Sequence, residues 1–576
     1  MRIKHFFGLA VIAAMTASCS SNNDLANGGN GSGEVENGTA YASFKINLPT
    51  TSGTRADDPK QGTPSFDHGT AAEYEVKNGT ILIFDKDGKF VESAELGTMN
   101  PWTDVKSDGV TTAAIATVKL EHVSVGDNNY KALVLLNNDV DATTKKVTLP
   151  TSSTDTYANW SKDVSKVNAD NYAKTNGIFM ANAPMYNGTT KEPTTLVDIK
   201  GVYASQEEAQ AKPATTIYVE RGLAKVTMKD FTTSGYSIDA GTYEGGKVKI
   251  EKWQLDVTNK FTYPVHQIDG LSSATTGFAD IWKTDRFYDQ TSTAFKRVYW
   301  GIDPNYSDNK YYDGDATTSP AKTALDCCKE AFNMITNNQV NGAAGEANPQ
   351  YCLENTFDLD NMMQGQTTRV VFKAVFTPKN FTTGQTFYKI GNNTDIWKEA
   401  DLETQIHTVA VTAMGITDPE EQGKYEVKLD ATTNNISGEA GQHKITVDNI
   451  KYTGTGTSKV DAAITAINEK LGLSDAAGIS TYLNGEAYYI ARIKHFNELT
   501  PWKAGEAYST DNGKYLGRYG VLRNNWYELS VNSVSGLGYP DVPEVKPNLP
   551  DDENDQYINV SVKILDWAKR SQSVDL

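Results

Sequence analysis

Apolar and polar residues alternate with a period of two in segment after segment of this chain, as in strands that bury one face. In TAYASFKINLPT (39–50), Ala42, Phe44, Ile46 and Leu48 fall on one side and Ser43, Lys45 and Asn47 on the other. That pattern predicts a half-buried strand near the N-terminus. TILIFDKDGKFVES (80–93) sets two apolar runs around Asp87-Gly88 and predicts a hairpin. YKALVLLNN (130–138) has the unbroken apolar run of a buried strand. IYVERGLAKVTMK (217–229) alternates around a charged centre, preceded by a small polar helix-like patch, SQEEAQAK (205–212). VKIEKWQLDVTN (248–259), RVYWGI (297–302), TTRVVFKAVFTP (367–378), EAYYIARI (486–493) and WYELSVNSV (526–534) all read as strands. Two segments switch to spacings of three and four: PAKTALDCCKEAFNMI (320–335) and SKVDAAITAINEKLGL (458–473), the second with Ser458 as its cap. No short repeat of fixed period appears, which argues against propellers and solenoids.

The two ends of the chain differ from its middle. Arg2 and Lys4 precede an apolar run over residues 6–15, too short for a permanent span, and Thr16-Ala17-Ser18 lead into Cys19. This resembles a bacterial lipoprotein signal, with the Cys19 thiol carrying lipid. Residues 20–38 are small and polar and read as a flexible tether. After the first strand pattern the chain turns polar around Arg55, Ala56 and Asp57, an accessible site for a trypsin-like protease. At the other end, YPDVPEVKPNLPDDENDQ (539–556) carries four prolines and an acidic cluster and reads as a stiff spacer. YINVSVKILDW (557–567) then alternates again, with Ile558, Val560, Val562 and Ile564 on one face. Either it is held out for another copy of the chain, or it returns to complete its own sheet.

Composition narrows the classes. At 576 residues the chain exceeds one ordinary core and predicts at least two folded units. The net charge of −18 disfavours nucleic acid as a partner. After Cys19 there remain Cys327, Cys328 and Cys352, an odd count that argues against a disulfide framework or a zinc cluster. One bridge to Cys352 and three small buried side chains are both open readings. Asp85-Lys86-Asp87-Gly88 lacks the further ligands of a calcium loop, and turn chemistry explains it, so no metal is expected. The seven histidines never fall at spacings of three or four, and there is no phosphate loop, dinucleotide fingerprint or G-x-S-x-G elbow. We expect no enzyme and no cofactor. Trp102, Trp160, Trp502 and Trp526 would suit a monomeric surface protein that stacks on sugars, against the commoner reading of core aromatics.

VERGLAKV (219–226), RVYWGIDPNY (297–306), YCLENTF (351–357), VLRNNWYELSV (521–531) and VKILDWAKRSQSVDL (562–576) together resemble the Mfa-type fimbrillins of Bacteroidales. The resemblance implies a mainly β protein with two transthyretin-like β-sandwich domains and a few short helices. It implies manufacture as an outer-membrane lipoprotein and cleavage after Arg55 by an arginine-specific protease, before polymerisation. It also brings partners: further copies in a head-to-tail filament, and accessory anchor and tip subunits. The expected layout is a signal peptide (1–19), a propeptide with tether and removable strand (20–55) and an N-terminal sandwich (56–215). A C-terminal sandwich (216–538), the spacer (539–556) and a donor strand (557–576) that includes Trp567 follow. The expected function is a fimbrial shaft subunit that polymerises by donor-strand exchange and supports adhesion. The alternatives are an anchor or tip subunit, or a monomeric glycan-binding lipoprotein.

Overall fold

The computed structural model describes residues 39–49, 70–97, 103–104, 110–127, 129–139, 141, 143–172, 177–187, 192–271, 297–358, 360–391, 393–429, 443–474, 477–495, 517–551 and 558–566. Cys19, Arg55, Ala56, Trp102, Trp502 and Trp567 lie outside them.

The chain is mainly β. Strands β1 (Ala40–Pro49), β2 (Gly79–Asp85), β3 (Phe90–Glu95), β4 (Val110–Leu120), β5 (Tyr130–Leu136), β6 (Met180–Asn182) and β7 (Thr215–Arg221) form the first sheet, in the order β3-β2-β5-β6-β7-β1-β4. Two short pieces, Thr103–Asp104 and Val197–Asp198, complete it. The expected hairpin is β2-β3, and Gly88 takes the left-handed φ of +78° in its turn. The Asp85 carboxylate accepts the backbone N–H of Asp87 and of Lys89, each at 2.9 Å, so turn geometry occupies it. The sheet curls until its inner faces meet in one core: Ala42, Phe44 and Ile46 of β1 pack with Ile81, Ile83, Val134, Met180, Ile217 and Val219.

Strands β8 (Ala224–Met228), β9 (Lys247–Asp256), β10 (Gln350–Cys352), β11 (Arg369–Thr377), β12 (Glu486–Arg492), β13 (Asn525–Val534) and β14 (Ile558–Asp566) build a second unit. Its sheets, β10-β8-β13-β14 and β9-β11-β12, the latter extended by Tyr236–Ser237, enclose a sandwich core that includes Val226, Trp253, Phe372, Tyr489 and Tyr527.

Several expectations change. The division placed between 215 and 216 falls inside β7, because IYVERGLAKVTMK is two strands in two sheets, parted only by Gly222 and Leu223. A Cβ at Gly222 would collide with the buried Tyr172 side chain, so the crossing needs glycine for space. RVYWGI is not a strand; Arg297 makes an isolated bridge to Met185 while fully buried Trp300 anchors the irregular path. The patch SQEEAQAK forms helix α1 (Gln206–Ala211), capped by Ser205; of the helix expected over 320–335 the part Ala324–Ala331 is helical (α2), and a further helix, α3, spans Glu399–Ala413. The helix expected over 458–473 is α4 (Val460–Lys470), with the Ser458 hydroxyl accepting the Val460 N–H, so α3 was unforeseen. Together α3 and α4 form a lobe with its own core around Leu402, Ile406, Ala410 and Ile467.

The spacer expectation is corrected over 539–551. Tyr539 exchanges backbone hydrogen bonds with Tyr488, and the Arg369 guanidinium binds both Asp256 (2.8 Å) and the Pro543 carbonyl (2.6 Å). Asp551 is buried and accepts the Thr367 hydroxyl. The Pro543 carbonyl and the Asp551 carboxylate are thus taken up by the sandwich surface, which composition alone does not show. The cysteines follow the simple reading: Cys327, Cys328 and Cys352 are free and buried. Burial pushes the Cys328 and Cys352 thiols up to about 12, where they are unreactive.

Candidate functional site

Every backbone position of β1 from Phe44 to Asn47 is paired on both sides. It runs antiparallel to β4, with Ala42 opposite Val118 and Lys45 opposite Ile115, and parallel to β7, with Phe44 opposite Thr215. Ala40, Ala42, Phe44 and Ile46 are wholly buried, as the alternation predicts.

The other face departs from a half-buried strand. Ser43 and Asn47 are buried, and among residues 40–47 Lys45 alone is exposed. The cause is the segment that leads into α1, which lies over the strand. Tyr41 and Tyr203 exchange backbone hydrogen bonds at 2.8 Å, and the Ser43 hydroxyl donates to the Ala209 carbonyl at 2.9 Å. The same Ser43 oxygen lies 2.8 Å from the Thr117 hydroxyl, which is left to donate to it. Thr117 and Ala209 are site residues that the periodicity missed. Their only sequence signal was short side chains at positions 43 and 47 where a solvated face would carry long charged ones.

The wall made by β7 is fixed at its far end by a buried ionic cluster. Glu220 binds His266 (2.5 Å) and Arg297 (2.8 Å), while Arg523 binds Glu354 (3.1 Å) and the Arg297 guanidinium donates to the Arg523 carbonyl. Beside it, Glu73, on a short helical turn, binds Lys225 at 2.8 Å and accepts the Tyr351 hydroxyl at 2.6 Å. Arg221 donates its Nε to the Glu73 carbonyl and its backbone N–H to the Asn524 side chain, which sits at a left-handed φ of +57°. Burial alone would raise Glu220, but His266 and Arg297 outweigh it and hold the carboxyl below the usual range. Burial acts on Glu73 in the same direction, and Lys225 with Tyr351 overcomes it. Four of the five stretches quoted above for their likeness to one family thus supply residues of this one junction, which Glu73 and His266 complete.

At the other end of the chain, β14 is an edge strand. Among the described residues it pairs antiparallel with β13 alone, from Asn525 opposite Asp566 to Val534 opposite Ile558, with Leu529 opposite Val562 and Tyr527 opposite Ile564. The return of the last strand to its own sheet is therefore the arrangement of the single chain. Trp160 and Trp526 are buried, with their indole N–H groups given to the Thr148 carbonyl and the Thr227 hydroxyl, so neither offers a face to a sugar.

The arrangement holds a strand instead of a small molecule. Among the described residues no group of three or more metal-binding side chains converges.

Residues 480–573 match the family model described as major fimbrial subunit protein type IV, fimbrillin, C-terminal. Among solved structures, a candidate cell adhesion protein from Parabacteroides distasonis is 11% identical over 93% of this chain and 99% of its own, with a TM-score of 0.38. The C-terminally truncated tip fimbrial protein Mfa3 from Porphyromonas gingivalis is 10% identical over 92% and 100%, at 0.29. A fimbrial assembly protein from Parabacteroides distasonis is 12% identical over 59% and 96%, at 0.24. Scores of this size transfer neither fold detail nor function. A search of curated proteins found no match.

Proposed function

We propose that this chain, a fimbrillin in its C-terminal residues 480–573, is the shaft subunit of a cell-surface fimbria that supports adhesion. It is exported as a lipoprotein on Cys19, cut after Arg55 by an arginine-specific protease, and polymerised by donor-strand exchange. The observation that carries this reading is the inequality of the two end strands: β1 is paired on both sides and β14 on one.

Cutting between β1 and the rest of the chain lets β1 leave. Its slot then presents the edges of β4 and β7 with an apolar floor, a state that favours capture of a strand. A tail that exchanges its single ladder for a slot with two gains a second set of backbone hydrogen bonds by strand addition. Each of Ile558, Val560, Val562 and Ile564 adds roughly 1.5–3 kcal/mol if fully buried there, before ordering costs. Repeated head to tail, such contacts make an open filament. Carrying both a removable first strand and a donor tail suits a shaft subunit better than an anchor, which keeps its first strand, or a tip, which needs no donor. Anchor and tip subunits would then cap the ends.

Arg55→Ala should leave lipidated monomers at the outer membrane, and the wild-type filament should begin at Ala56 by N-terminal sequencing. Cys19→Ala should abolish lipid labelling. Filaments of normal length from Arg55→Ala, or from a chain truncated after Gln556, would overturn the proposal.

A further inference from the structure

We propose that the donated strand enters the slot in one register, with Ser561 at the position of Ser43, Lys563 at that of Lys45 and Ile564 at that of Ile46. This rests on the strand-exchange reading above and names the residues that fix its geometry. The segments ASFKI (42–46) and VSVKI (560–564) match at serine, lysine and isoleucine and run in the same chain direction, as the parallel pairing with β7 requires.

The slot itself selects this register. Its outer face has one exposed position, that of Lys45; the positions of Ser43 and Asn47 are buried. Between Ile558 and Leu565 the tail has one charged residue, Lys563. Moved two residues one way, Lys563 falls on the buried Asn47 position; moved two the other way, it falls between the Thr117 hydroxyl and the Ala209 carbonyl. Either shift buries an ammonium, which is strongly disfavoured unless it is paired. A shift of four that brings Tyr557 to the Ser43 position forces a phenol into a space that holds a hydroxymethyl group. Shifts of one residue turn the apolar face outward.

In the selected register the Ser561 hydroxyl takes over the bonds to Thr117 and Ala209, Lys563 stays in solvent, and Leu565 replaces the buried Asn47. Ile558 and Val560 enlarge the sites of Ala40 and Ala42 while Val562 vacates part of that of Phe44. The inward positions gain net volume, so the floor must repack around the larger strand, while Asp566 falls at the place of Leu48 at the slot's end.

Because Lys45 lies opposite Ile115, the register places Lys563 opposite Ile115 of the receiving copy. Facing residues on antiparallel strands have Cβ atoms about 4.5–5.5 Å apart, near enough for a disulfide. Full-length chains carrying Ile115→Cys with a cysteine at 559, 561, 563 or 565 are expressed in the native host, and oxidised surface filaments are run without reductant. We expect the 115–563 pair to give the covalent ladder, at least about tenfold more than 115–561. A dominant 115–561, 115–559 or 115–565 ladder would overturn the register and leave strand donation standing. Filaments that form with no ladder from any of these pairs would overturn donation itself. Ser561→Val should lower filament yield about fivefold, the size of one net hydrogen bond, with Ser561→Thr restoring part of it. Unchanged yield with valine would remove the hydroxyl from the recognition.

Discussion

The first and last strands are written in the same alternating code and occupy opposite kinds of place. β1 lies inside a sheet, paired by β4 and β7 and covered on its polar face by the segment around α1, whereas β14 lies at the edge of one, with β13 on a single side. Period two sets which side chains share a face; it does not set how many neighbours the backbone has. That second property comes from residues far along the chain, and it decides which strand is costly to remove and which is available.

Perturbing equivalent positions on the two strands should therefore give unequal results. Phe44→Ala in the full-length chain should destabilise the first sheet by about 3–5 kcal/mol in urea unfolding, while Val562→Ala should leave that transition in place. Equal losses would break the comparison. Glu220→Gln, at the end of the β7 wall, leaves the Arg297 and His266 side chains without their carboxylate and should cost about 3 kcal/mol in the same measurement. A smaller loss, about 1–2 kcal/mol, is expected for Ser43→Ala, because the Ala209 carbonyl and Thr117 hydroxyl lose a shared partner.

The mildest perturbation is acid. Glu73 and Glu220 are held below the ordinary carboxylate value in the folded chain, so the unfolded chain takes up protons first as the pH falls. Their contribution is complete at neutral pH and is lost from about pH 4.5 downward through their folded values. Melting temperature against pH should fall over that window, less steeply for Glu73→Gln; a profile that rises on acidification would contradict the sign.

What the sequence made legible follows from which forces are local. The inward set of β1, the β2-β3 hairpin and the buried β5 are written in side-chain pattern and turn chemistry within a few residues. The split of 217–229 between two sheets was hidden because Gly222 looks like one polar gap in a continuous alternation, and only the ring of Tyr172 explains it. Helix α3 was missed because threonines and valines dilute its helical signal, although Leu402, Ile406 and Ala410 keep the spacing. The docking of 539–551 rests on Arg369 and Thr367, which nothing in the proline-rich stretch itself announces. In the candidate site, the inward set of β1 was legible in the sequence, but the cover over Ser43 was not, since Ala209 lies so far along the chain.

The two-residue crossing between β7 and β8 has a mechanical meaning. In the proposed filament, tension on one subunit's tail would pull a strand lengthwise against β7, so the hydrogen bonds of the ladder would share the load in shear instead of opening one at a time. From β7 the force would pass through the covalent backbone of Gly222 and Leu223 into β8, then sideways into β13 and along the chain that follows it to the donated tail. The core of each domain would lie beside this line of tension, and the ionic cluster around Glu220 would clamp it where it changes sheets.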